Sequence, residues 1–150
     1  MASLTVETGT SPGFTQWSPH ELGIQFTNAL SPDRAQLFQN LMNGSGLAAA
    51  DVDGDGLVDL YFCHKQAPNQ LYRNLGGGRF TNVTAAAGVG CTNQTSVGAV
   101  FGDVNGDGAP DLVVSAFGGP NALLINDGRG RFTDVTAGWG IAGESRAVPM

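Results

Sequence analysis

The sequence predicts an all-β fold: two repeated four-stranded units preceded by one lone strand. Three observations carry the prediction. A shift of 52 positions aligns residues 45–90 with 97–142 without a gap, and 21 of the 46 pairs are identical. The apolar runs are short and separated by turns rich in glycine, of which the 150 residues contain 23; that pattern suits strands and tight turns. Each repeat also carries one acidic loop, 51–59 in the first and 103–111 in the second. A period of about 40–50 residues with four strands per unit is the signature of a β-propeller. One such unit cannot bury both of its faces, so units stack around an axis. The reading is therefore a partial β-propeller: two four-stranded blades plus an N-terminal strand.

In chain order, residues 1–12 read as a tail and 13–44 as the lone strand with an insert. Gly13-Phe14-Thr15-Gln16-Trp17-Ser18 resembles Arg79-Phe80-Thr81-Asn82-Val83-Thr84, so 13–18 is expected to be a fourth strand without a blade before it. In the insert, Ser31-Pro32-Asp33-Arg34 has cap and first-turn residues. Leu37, Phe38 and Leu41 follow at helical spacing, which suggests a short helix.

Blade one spans 45–96. Its expected strands are 46–52, 57–63, 69–74 and 79–84, with Gly76-Gly77-Gly78 as a hairpin turn. Residues 85–90 carry the chain onward. Blade two spans 97–150, with strands at 98–104, 109–115, 121–126 and 131–136 and a turn at Asp127-Gly128-Arg129-Gly130. Pro110 stands at the start of its strand, where a missing N–H is tolerated. The last residues, Arg146-Ala147-Val148-Pro149-Met150, fall where the first strand of a next blade is expected to begin.

Composition excludes several function classes. The formal net charge is −6, and seven of the 13 acidic residues belong to the two loops. A nucleic-acid partner needs a basic face, which this balance opposes. No apolar run approaches the ~20 residues of a membrane span. Met1-Ala2-Ser3-Leu4-Thr5-Val6-Glu7 lacks the basic and apolar regions of a signal peptide. Cys63 and Cys91 are expected to be free thiols acting as small hydrophobes.

The acidic loops carry the chemistry. Asp51, Asp53, Asp55 and Asp59 fall at positions 1, 3, 5 and 9, with glycines between. Such a density of hard oxygens suits Ca²⁺, which takes six to eight of them at about 2.3–2.6 Å. An EF-hand starts the same way but needs a bidentate Glu at position 12 and flanking helices. Position 12 here is Phe62 or Val114, and the flanks read as strands. The expected ligands are therefore Asp51, Asp53, Asp55, the Leu57 carbonyl and Asp59. In the second loop they are Asp103, Asn105, Asp107, the Ala109 carbonyl and Asp111. With one charge fewer, the second site is expected to be weaker. Affinities of about 10⁻⁴–10⁻³ M suit an extracellular module. The competing reading is a pair of acidic turns without metal, in which converging carboxylates repel one another.

This loop between strands resembles the FG-GAP/VCBS repeat family, and most closely its cartilage-acidic-protein-like (ASPIC/UnbV) group. The pieces that carry the likeness are Gly46 to Ala50, Asp59-Leu60-Tyr61, the 69–74 stretch with Leu71 and Tyr72, the 76–78 glycines, and Phe132-Thr133-Asp134-Val135-Thr136. Gly23-Ile24-Gln25-Phe26-Thr27 is similar to that group's opening. The resemblance implies a propeller of about seven blades, calcium in the loops, and an extracellular or periplasmic setting.

Other candidates read plainly. His20 and His64 lack a neighbouring His or Cys at metal spacing, and no serine stands in a nucleophile elbow. Asn69 and Asn121 suit backbone capping. Trp17 and Trp139 are expected in the core or between blades, and Arg79 and Arg131 on solvated turns. The expected function is a calcium-binding propeller module, not an enzyme. It would bind a protein or glycan, with further blades or copies of itself completing the ring. The alternatives are an enzyme or biosynthetic accessory protein whose active residues lie outside this chain, or a glycan-binding lectin.

Overall fold

A computed structural model describes residues 16–33 and 45–140. Two four-stranded antiparallel sheets make up the fold, each a meander in sequence order. The first contains β1 (Leu47–Ala50), β2 (Asp59–Phe62), β3 (Gln70–Asn74) and β4 (Phe80–Asn82). The second contains β5 (Ser96–Gly102), β6 (Asp111–Ala116), β7 (Ala122–Asn126) and β8 (Phe132–Asp134). The repeat governs the pairing. Ala50 faces Asp59 and Gly102 faces Asp111. Leu60 faces Tyr72 and Leu112 faces Leu124. Each second pair is the first shifted by 52 positions, so both sheets share one register.

Strand ends depart from expectation by at most two residues. β5 begins at Ser96, two positions early, because Ser96 pairs with Ala116 across an irregularity before Gly98. Of the expected lone strand at 13–18, residues 13–15 lie outside the described residues, and Gln16, Trp17 and Ser18 are not strand. A helical turn, α1 (Pro19–Leu22), follows instead. Pro19 presets the helical φ at the first position, and Gly23 closes the turn at φ 76°. The expected helix near 31–41 falls mostly outside the described residues, although Pro32 and Asp33 are helical. After β4, α2 (Thr84–Ala87) forms and ends at Gly88, φ 76°. The expected next-blade start at 146–150 also lies outside the described residues.

The core sits between the sheets. Ala48, Tyr61, Cys63 and Leu71 from the first meet Leu112, Val114, Leu124 and Phe132 from the second. Tyr61 and Phe101 stack edge-on with centroids 6.2 Å apart. Backbones touch where β1 and β5 cross: the Gly46 N–H donates to the Val97 carbonyl at 3.0 Å. A Cβ on Gly46 would lie 2.6 Å from the Gly98 Cα. The outer face of the first sheet is covered by the N-terminal segment. Phe26 stacks on Phe62 at 4.8 Å, and the Gln25 N–H donates to the Tyr72 hydroxyl at 3.0 Å. His64 clamps this segment: its Nδ1 accepts the Gln66 and Ala67 amides, which leaves Nε2–H to donate to the Thr27 carbonyl at 2.9 Å.

Trp17 and Trp139 are more than half exposed, contrary to the expected burial. Trp17 lies beside the 76–78 turn, where a Cβ added to Gly78 would meet its ring at 3.5 Å, so it covers a hairpin instead of filling the core. Cys63 and Cys91 are free. Burial, with the nearby Cys91 adding to it, pushes the Cys63 thiol up to about 12, which suits a small hydrophobe.

The glycine crossing yields a paired prediction. Gly46→Ala drives a methyl into backbone and lowers stability by about 1–3 kcal/mol. Gly102→Ala, with open space around the new Cβ, stays within about 0.5 kcal/mol. Urea unfolding of both variants checks the contrast; equal losses would show that the crossing is not tightly packed.

Candidate metal centre

Both acidic loops lie at one end of the sheets, between the first and second strands. The hairpin turns after β3 and β7 lie at that same end, as the meander order requires. Glycine shapes each loop: Gly54 and Gly56, then Gly106 and Gly108, all have φ between 76° and 88°. That region is costly for residues with a Cβ. Asp51 then organises the turn. Its Oδ1 accepts the amides of Gly54 and Asp55, and its Oδ2 accepts that of Gly56 at 2.8 Å. Asp103 does the same with Gly106, Asp107 and Gly108. These amides hold the Asp103 carboxyl below the ordinary aspartate value.

The ninth position anchors the loop. Asp59 and Asp111 are fully buried. Asp59 accepts the Val52 amide at 3.0 Å and the Asn74 amide at 2.8 Å. Asp111 accepts those of Val104 and Asn126 at the same two distances. Each aspartate thus ties its loop to the third strand. Burial raises the Asp59 carboxyl above the ordinary value, more than the two amides lower it, and Asp53 and Asp55 add to the rise. Asn126 extends the tie between sheets: its Nδ2 donates to the Val52 carbonyl at 2.8 Å.

Of the expected ligands, the structure converges Asp51, Asp53 and Asp59, with one carboxylate oxygen from each within 4.8 Å of the others. Asp53 is nine-tenths buried, and its Oδ1 has no hydrogen-bond partner among the described residues. A buried carboxylate oxygen without a donor is costly, and a hard cation satisfies it. The donor set therefore fits calcium. Arg73 lies against both Asp53 and Asp55: its Nε approaches Asp53 Oδ2 to 2.5 Å, and its Nη2 donates to Asp55 Oδ2 at 3.1 Å. In the second loop, Asn105 places an amide where Asp53 has a carboxylate, and its Nδ2 donates to Asp107 at 2.8 Å. Leu57 and Ala109 enter the networks through their amides, bonded to Asp55 and Asp107.

Arg73 was not expected at this site, whereas Arg79 and Arg131 were expected on turns and are exposed. Its signal in the sequence is a mismatch in the repeat: position 73 aligns with Ile125. Asn69 and Asn121 cap as expected, accepting the His64 and Ala116 amides at 2.7 and 3.1 Å. Tyr61 and Tyr72 are buried, so they offer no stacking platform for a sugar.

The opposite shifts of two carboxyls give a pH prediction for the calcium-free protein. Asp103 titrates below 3.8 and Asp59 above it when followed by carboxyl carbon NMR. Asp103 therefore stabilises the fold above pH ~4, and that contribution is lost as pH falls through its folded value. Asp59 works against the fold as pH rises through its own raised value. The reverse order of titration would contradict the described burial and amide bonding.

Comparison with known proteins adds a family. The FG-GAP-like repeat matches residues 51–114 and again 103–148, each match starting on an acidic loop. Cartilage acidic protein 1 of Xenopus tropicalis is 30% identical over 95 residues, 61% of this chain. The proteins of that name from Mus musculus and Homo sapiens are 30% identical over 97 residues, 63% of this chain. The matched region covers 15% of the length of each of these relatives.

Proposed function

Because the chain belongs to the FG-GAP-like repeat family, we propose that it is a calcium-stabilised interaction module within a β-propeller. One observation carries the reading: the buried, unpartnered Asp53 Oδ1 beside Asp51 and Asp59, in a loop that recurs in register. Loop one would hold the ion through Asp51, Asp53, Asp55, the Leu57 carbonyl and Asp59. Loop two would use Asp103, Asn105, Asp107, the Ala109 carbonyl and Asp111. When bound, the ion supplies positive charge to buried carboxylates and fixes the first strand to the second. The role is binding, not catalysis.

Stacking of further blades is supported by an unequal pair of faces. Ala48 is 8% exposed against the second sheet, while its repeat partner Val100 is 59% exposed. Val113 and Ser115, the counterparts of buried Tyr61 and Cys63, line the same open face with Val100. A further blade, from the rest of a longer propeller or from a second copy, fits there. In this reading 1–12 is a tail, 13–44 leads into the first blade, and 45–96 and 97–150 are the blades. The partner, protein or glycan, is placed at the end opposite the acidic loops. There Gln66, Thr92, Asn93, Gln94 and Thr95 help line a polar cleft of about 400 Å³. Free calcium in the cytosol is too low to fill sites of about 10⁻⁴–10⁻³ M, so the setting is extracellular or periplasmic. The name of the matched relatives, cartilage acidic protein, agrees with an acidic chain of this kind.

Thermal unfolding in calcium and in chelator tests the reading. A ligand that binds only the folded state at about 100 times its Kd adds about 2.7 kcal/mol, so the midpoint in excess calcium rises by several degrees. The same midpoint in both conditions would leave the loops as bare acidic turns.

A further inference from the structure

Two of the differences between the repeats compensate each other at the acidic loops. Asp53 in the first loop becomes Asn105 in the second, and Arg73 on β3 becomes Ile125 on β7. The loop with the extra carboxylate is the loop with the cation. Loop one carries four carboxylates and one guanidinium; loop two carries three carboxylates and, among the described residues, no ion pair. Their net charges are equal. Counting carboxylates alone ranks loop one as the tighter calcium site, and Arg73 removes that advantage.

We propose that Arg73 is a tethered cation which occupies the loop-one carboxylates without metal and sets the affinity of that site for calcium. The proposal rests on the calcium reading above. Its geometry is that of an occupant that can leave. The guanidinium approaches Asp53 Oδ2 to 2.5 Å through Nε and Asp55 Oδ2 to 3.1 Å through Nη2. Nε has no hydrogen-bond partner despite this approach, and neither has Asp53 Oδ1, the other oxygen of the same carboxylate. The Arg73 side chain is 43% exposed. Swinging out therefore returns the guanidinium to water, where it recovers full hydration. A divalent ion competes for Asp53 and Asp55 with twice the charge.

Loop two has no such competitor. Asp107 Oδ2, the counterpart of the Arg73-bound oxygen, accepts from the neutral Asn105 amide instead. Filling loop two therefore displaces no charge, whereas filling loop one expels one. Calcium at loop one frees Arg73 at the edge of a groove that Arg129 and Arg131 of the neighbouring hairpin also line. Metal binding thus changes the charge presented between the two sheets as well as the loop.

Calorimetric titration of the 150-residue chain with calcium chloride tests this, using Asp107→Ala to remove a loop-two ligand. In that background Arg73→Gln is expected to tighten the remaining site about tenfold, the scale for removing one charge a few ångströms from a divalent ion. Arg73→Lys, which keeps the charge, stays within about threefold of the parent. An unchanged or weakened constant in Arg73→Gln overturns the role of Arg73 and leaves the calcium reading standing. No calcium heat in any variant, wild type included, overturns the calcium reading itself. Thermal unfolding adds a readout that does not depend on affinity. Arg73→Gln is expected to lower the midpoint in chelator and to match wild type in saturating calcium. An equal deficit in both conditions makes the ion pair merely structural and overturns the proposal.

Discussion

A buried carboxylate at the ninth position of each acidic loop holds the architecture together. Asp59 and Asp111 are removed from water, which is expensive for an ionised group unless donors replace the solvent. Two backbone amides do so, one from the start of the loop and one from the end of the third strand. That single residue therefore fixes where the loop begins, where β2 or β6 starts, and how the third strand lies beside it. The rest of the loop follows from Asp51 or Asp103 gathering three amides over glycines in the left-handed region. Asn126 carries the constraint across to the neighbouring sheet through the Val52 carbonyl.

This explains which parts of the molecule were legible in the sequence. Positions whose identity is dictated by backbone geometry recur every 52 residues: the aspartates at one, five and nine, their glycines, Asn69 and Asn121, Asn74 and Asn126. The all-β class, the two four-stranded units and the acidic loops came from these. The second half of the expected lone strand did not, because Gln16 to Ser18 match a strand pattern only by side-chain type. Pro19 and Gly23 then commit the backbone to a turn. Hydrophobicity alone placed the tryptophans inside, yet Trp17 covers a hairpin and stays wet. Arg73 was hidden for the opposite reason: it departs from the repeat, and identity between repeats reveals only what they share.

The two ends of the sheets have different characters. The acidic end is dense in charge and in side chain–backbone bonds, with its shape set by glycine and aspartate. The opposite end carries the connections after β2, β4 and β6 around a polar cleft, held by His64, Asn69 and Ser96. An acidic end dense in backbone bonds and a polar cleft at the other end of one scaffold suit a binding module, since recognition residues gather on loops that a rigid frame positions. The open face beside Val100 gives the same scaffold a way to continue into further repeats.

Counting bound ions shows whether the acidic loops are metal sites. Native mass spectrometry of the chain in a volatile buffer with calcium acetate reads the stoichiometry per molecule. Two bound calcium ions are expected, falling to one in Asp107→Ala. A spectrum with no specific calcium adduct would contradict the calcium reading and leave the buried Asp53 oxygen without an explanation.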